Sequence, residues 1–128
     1  MFQVIDMHCD TIPALQWKEK QEHLADADLQ INLDKLEKGG SLCQCFSLFT
    51  FLKGLKDETP FEHVRKLADL WKSEMERYPD RICQIKTYAD LMQVQKEGKI
   101  GAVKRVVFTK AVSKNCTHCT ISVCGFPR

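Results

Sequence analysis

Residues 41–51, Ser-Leu-Cys-Gln-Cys-Phe-Ser-Leu-Phe-Thr-Phe, constrain the fold more than any other stretch of this chain. Alternate residues of a strand point to opposite sides, so Leu42, Phe46 and Leu48 fall on one face and Cys43, Cys45 and Phe49 on the other. A strand that is apolar on both faces has to be covered on both, as in a parallel sheet flanked by helices. The chain around it carries matching helices. Asn32 is placed to cap a short helix through Lys38, with Leu33 and Leu36 inward and Gly39-Gly40 ending it. Thr59-Pro60-Phe61-Glu62 combines a capping box with proline at the first helical position. Phe61, Val64, Ala68, Trp71, Met75 and Tyr78 then recur at helical spacing, an amphipathic stripe that faces a core. Tyr78-Pro79-Asp80 turns the chain into a short strand at Ile82–Ile85. Thr87, with Asp90 three residues on, caps a second helix that stops at Gly98, and Ile100–Val103 begins a further strand. Strands alternating with helices give the fold class: α/β with a parallel sheet.

The chemistry-bearing stretch is the start of the chain, Val4-Ile5-Asp6-Met7-His8-Cys9-Asp10-Thr11. An apolar, strand-forming run delivers an imidazole and, two positions on, a carboxylate. Residues i and i+2 of a strand share a face, so His8 and Asp10 are expected to project together from the strand's end. A nitrogen and a carboxylate oxygen suit Zn²⁺. The pattern is short, and taken alone it describes a polar loop pair equally well. Residues 11–31 read as a polar connection carrying Leu15, Trp17 and Leu24; Trp17 is a candidate wall of a substrate pocket, or a cover for the core. His23 and His63 read as solvated surface residues. Cys43 and Cys45 lie at i and i+2 but read as buried thiols rather than metal ligands.

The wider pattern resembles one family. "DMHCDT" is similar to the D-x-H-x-D opening of the membrane (renal) dipeptidases. "INLDKLEKGGSLCQCFSLF" and "MERYPDRICQIKTYADLMQVQKEGKIGAV" resemble that family's next segments, in the same order and covering about residues 1–103. The resemblance implies the N-terminal portion of a (β/α)₈ TIM barrel and a hydrolase that splits dipeptides with two zinc ions. It places the H-x-D zinc ligands on His8 and Asp10 and a pocket aromatic on Trp17. It also implies a metal-bridging Glu in an E-G-G motif after the third barrel strand and two histidines much later. None of these three is present in the sequence as it stands, so the fragment by itself is expected to be inactive.

At 128 residues the chain is about half of the ~250 that a closed eight-stranded barrel takes, so a barrel would be incomplete, with open sheet edges that leave room for oligomerisation. A formal charge of +2 gives no argument for nucleic acid. No run approaches the ~20 apolar residues of a membrane-spanning segment. The first residues enter a strand without a basic and then apolar leader, and seven cysteines without regular spacing fit free thiols; both point to a cytoplasmic, reducing location.

The charge pattern breaks near Val103. Every Asp and Glu lies at or before Glu97, while Lys99, Lys104, Arg105, Lys110, Lys114 and Arg128 follow with no acid. Two domains are therefore expected: 1–103, dipeptidase-like, and 104–128, unrelated and out of frame. Shifting the reading frame by one base allows Lys104–Phe108 to encode E-G-G-V, and the continuation resembles the dipeptidases' next helix, ending L-Y-x-x-G-V-R. Codon choice supplies part of that match, but Asn115-Cys116 and His118-Cys119 can each yield only Leu in the shifted frame. A tail of this origin is expected to make no stable contacts. The alternative is a small non-enzymatic zinc-binding protein using Cys116, His118, Cys119 and Cys124.

Overall fold

A computed structural model describes residues 2–25 and 28–109. In chain order its elements are β1 (Val4–Cys9), α1 (Thr11–Gln16), α2 (Leu33–Lys38), β2 (Ser41–Phe51), a 3₁₀ turn (Leu52–Gly54), α3 (Pro60–Arg77), β3 (Ile82–Gln84), α4 (Tyr88–Lys96) and β4 (Ile100–Thr109). Among the described residues the strands form one open sheet in the order β1-β2-β4-β3, and every neighbouring pair is parallel. The α/β class expected from the alternating pattern is the one observed.

The two-sided strand at 41–51 becomes β2, an inner strand between β1 and β4. On one face Phe46 and Leu48 join Ile100 and Ala102 beneath α1 and α3. On the other, Cys43 packs with Ile85 and Val94, and Leu91 and Val103 lie against them. Gly101 lies beneath Ile85: a Cβ there would sit 2.9 Å from the Ile85 Cδ1, so glycine lets the chain after β3 lie close against β4.

The helix ends follow the caps. Asn32 Oδ1 accepts the Lys35 N–H at 2.9 Å. Thr59 with Glu62, and Thr87 with Asp90, form reciprocal capping boxes. Gly40 and Gly98, with φ of 68° and 67°, take the left-handed turns just past α2 and α4 that a side chain would strain.

Three expectations are corrected. The stretch after Asp10 is not all connection: Thr11–Gln16 form α1, which buries Ile12, Pro13 and Leu15; Pro13 sits in the first turn, where a missing N–H breaks no intrahelical bond. Phe61 is not part of the core stripe. At 73% exposed it sits on the first turn of α3, and the buried positions are Leu67, Trp71, Glu74 and Met75. The composition break at Val103 is not a break in the strand. β4 continues in register with β2 through Thr109, Val107 is buried, and the Lys104 ammonium lies 5.1 Å from the centre of the Trp71 ring. Residues 104–109 therefore do make contacts, because β-branched Val106 and Val107 extend along an adjacent strand already in place.

Candidate functional site

β1 and the start of α1 build the site together. β1 runs parallel to β2, but three steps on β1 from Asp6 to Cys9 match only two on β2 from Gln44 to Phe46. The extra residue is a bulge, the usual device for re-aiming a side chain at a strand end. The strand stops at Cys9, whose side chain is buried beneath the sheet with Ile12 and Phe46. Asp10 then begins α1. His8 and Asp10 do meet, as the i, i+2 argument expected, but through a bulge and a helix start rather than through strand alternation alone.

The His8 Nε2 lies 3.3 Å from Asp10 Oδ2, and the two side chains are 55% and 57% exposed. Asp10 occupies the N-cap position, where an aspartate ordinarily accepts a backbone N–H of the first helical turn. Its side chain makes no such bond. The carboxylate is turned to the imidazole instead, which leaves both groups at the mouth of a cleft of about 620 Å³. The Asp6 carboxylate lies in the same cleft and accepts the His8 backbone N–H at 3.1 Å, holding the bulge. Asp6 was not assigned a role from the sequence, although it is the first member of the D-x-H-x-D string. Asp28, Leu29, Gln30 and Ile31 form another wall of this cleft.

The donor set fits zinc as far as it goes. Nitrogen and oxygen ligands at ~2.0–2.2 Å in a tetrahedron stand about 3.3 Å apart, the separation seen between His8 and Asp10. Among the described residues no group of three or more His, Cys, Asp or Glu is arranged to hold a metal ion. The pair offers two donors where zinc ordinarily takes four ligands.

The other candidates fall elsewhere. Trp17 follows the last residue of α1, is 65% exposed and does not line the cleft. Cys43 and Cys45 are buried free thiols; burial, reinforced by Cys45 two residues on, pushes the Cys43 thiol up to about 11, and Cys43 packs with Ile85 and Val94. Burial likewise raises Cys9 beside the cleft. Cys116, His118, Cys119 and Cys124 lie outside the described residues.

His23 and His63 are not the solvated residues expected. The His63 Nδ1 is 3.1 Å from Glu58 Oε2, and the side chain is largely covered. The His23 Nδ1 is 2.9 Å from Oε1 of Glu74, a fully buried carboxylate on α3. Glu74 was also missed. The legible signal was spacing: Leu67, Trp71, Glu74 and Tyr78 repeat every three to four residues, so the acid stands in a core position of its helix.

No described helix is long and apolar enough to cross a membrane. No curated protein matches the chain. The profile of the membrane dipeptidases, peptidase family M19, matches residues 1–112 and so spans β1 with its His8–Asp10 pair, all of the described sheet and the residues just after it. The chain belongs to the membrane dipeptidase family, a family of peptidases.

Proposed function

We propose that this chain carries the N-terminal ligand pair of a zinc-dependent dipeptidase, and that its open parallel sheet is the first arc of a (β/α)₈ barrel. The observation that carries the reading is the Asp10 carboxylate, which forgoes the cap of α1 to face His8 Nε2 at 3.3 Å. With φ −101° and ψ 30° the Asp10 backbone is outside the extended region of a capping residue, so its carboxylate is turned to the imidazole and the cleft instead of the helix N–H groups. Zinc bound there would supply Lewis-acid polarisation of a peptide carbonyl and activation of water near neutral pH.

The chain's own residues hold and orient. Asp6 fixes the backbone of His8. The burial of Ile12 and Leu15 anchors α1 and, with it, the position of Asp10. The cleft beside the pair is large enough for a dipeptide. Two donors hold zinc weakly compared with a complete four-coordinate set, so hydrolysis requires ligands beyond those described. In this reading the chain as it stands is inactive, and residues 104–128 are the product of a shifted frame whose original supplied a bridging carboxylate.

The test is dipeptide hydrolysis in zinc-containing buffer by the chain with its frame restored after codon 103, alongside its His8→Ala and Asp10→Asn variants. Activity is expected only in the restored chain and only with both residues intact. Undiminished hydrolysis by the His8→Ala variant would overturn the assignment.

A further inference from the structure

Glu74 is the one fully buried acid among the described residues, and its two oxygens are both used. Oε1 meets the His23 Nδ1 at 2.9 Å, and Oε2 accepts the Leu24 backbone N–H at 2.7 Å. The Arg77 guanidinium, one turn on, stands 3.8 Å from Oε1. Burying a carboxylate is costly unless it is paired and hydrogen-bonded, so the side chain is kept only where those bonds are made.

What these bonds hold is the connection between α1 and α2. Its described residues, 18–25 and 28–32, form no helix or strand, yet Leu24 and Leu29 are buried. Its buried backbone groups therefore need partners from outside any ladder. Glu74 takes the N–H of Leu24, and Leu24 O accepts the Leu33 N–H at 3.1 Å, which ties the connection to the start of α2. Ile31 O accepts the Thr11 hydroxyl at 3.1 Å, and Thr11 is the residue after Asp10. Lys35 Nζ donates to Leu29 O. Separate hydrogen bonds from α3, α2 and α1 thus hold this connection at Leu24, Leu29 and Ile31, and residues 28–31 wall the His8–Asp10 cleft.

We propose that Glu74, gripping His23 and Leu24, is a positioning residue that, through the Leu24–Leu33 bond at the start of α2, keeps residues 28–31 in place against His8 and Asp10. The proposal rests on the reading of that cleft as the metal site. It is separable from that reading, because the position of the connection can be followed with no metal present.

The experiment uses the full chain and its Glu74→Ala, Glu74→Gln and His23→Ala variants. Amide hydrogen exchange is read at Leu24, Leu33 and the β2–β4 ladder, the His8 and His63 ring signals are read by NMR, and affinity is measured for Zn²⁺ alone. Loss of the latch should speed exchange at Leu24 and Leu33 by about tenfold or more, the effect of one lost hydrogen bond, with the β2–β4 ladder unchanged. The His8 ring signals should move while those of His63, near the other end of α3, stay. Zn²⁺ affinity should fall several-fold in Glu74→Ala and recover in part in Glu74→Gln, whose side-chain oxygen still accepts from Leu24. If Glu74→Ala loses ladder protection as well, the same comparison is made on Glu74→Gln and His23→Ala. Unchanged exchange at Leu24 overturns the latch. Faster exchange with unmoved His8 signals overturns the positioning role. Zn²⁺ binding that survives His8→Ala sinks the metal reading instead, and the His8 signals of the metal-free protein still decide the latch.

Discussion

Two phenylalanines that look alike in the sequence differ in what their removal should cost. Phe46 is 0% exposed on the inner strand β2, covered by α1 and α3; Phe61 is 73% exposed on the first turn of α3. Truncating Phe46 to alanine removes most of a ring side chain that buries about 150–250 Å². At about 25 cal/mol per Å² this comes to about 4–6 kcal/mol, close to the ~3–5 kcal/mol typical of Phe→Ala in a core. Only about a quarter of the Phe61 side chain is covered, which caps the same change there at about 1 kcal/mol on the same coefficient. Whole domains are stable by only about 5–15 kcal/mol, so Phe46→Ala should remove a large share of the stability and Phe61→Ala little of it. Urea unfolding at low micromolar concentration, followed by far-ultraviolet circular dichroism and by fluorescence of the buried Trp71, measures both. Equal losses, or a larger loss for Phe61, would refute the packing derived for α3.

Arg81 binds Glu37 through Nε at 2.6 Å and Asp34 through Nη2 at 2.7 Å, and its hydrogen bonds hold both carboxyls below their usual range. A depressed carboxylate pKa adds stability that is present above the unfolded value and lost as pH falls through the folded one. Stability should therefore decline in mild acid, and Arg81→Ala should flatten that decline in a pH series of urea midpoints; an unchanged slope counts against the clamp. Cys43 and Cys45 should resist iodoacetamide at pH 8 in the native protein and react in denaturant, as mapped by mass spectrometry, since burial raises both thiols. Native labelling at Cys43 would contradict its place in the sheet. The chain as it stands should retain no tight, stoichiometric zinc, and zinc content that disappears on Cys116→Ser or Cys119→Ser but not on His8→Ala would favour a zinc-binding tail. In the gene, the bases after codon 103 read in the shifted frame should encode E-G-G and stay open for the length of a barrel; a stop codon soon after would end the frameshift account.

The fold was legible where local chemistry decides it. Capping boxes at Thr59 and Thr87, the Asn32 cap and the glycines after α2 and α4 set the helix ends, and each is a matter of three or four neighbouring residues. The two-sided strand 41–51 was legible because its apolar residues fall on both faces and its polar ones, Gln44, Ser47 and Thr50, do not alternate with them. Helix α1 was not, since six residues are too few for a 3.6-residue period to register. Phe61 was misplaced because spacing alone cannot tell a helix's covered length from its open first turn. The sheet order was hidden too: β3 pairs with β4 rather than with β2, its predecessor in the chain, and pairing across a crossover is not written in any local pattern.

The site divides along the same line. His8 and Asp10 are two residues apart, so their meeting could be reasoned from backbone geometry, and Asp6 was within reach of the same reasoning. The cleft wall at 28–31 is brought there by bonds that span the sequence, from Ile31 to Thr11 and from Leu24 to Glu74, fifty residues away. A loop with no ladder cannot announce what holds it; only the holder can, and here the holder showed itself as an acid at a core position of α3. A carboxylate at such a position asks for a partner from elsewhere in the chain, because leaving it unpaired would cost several kcal/mol. Glu74 shows what that partner can be: an irregular connection, seated by its hydrogen bonds against the residues that do the chemistry.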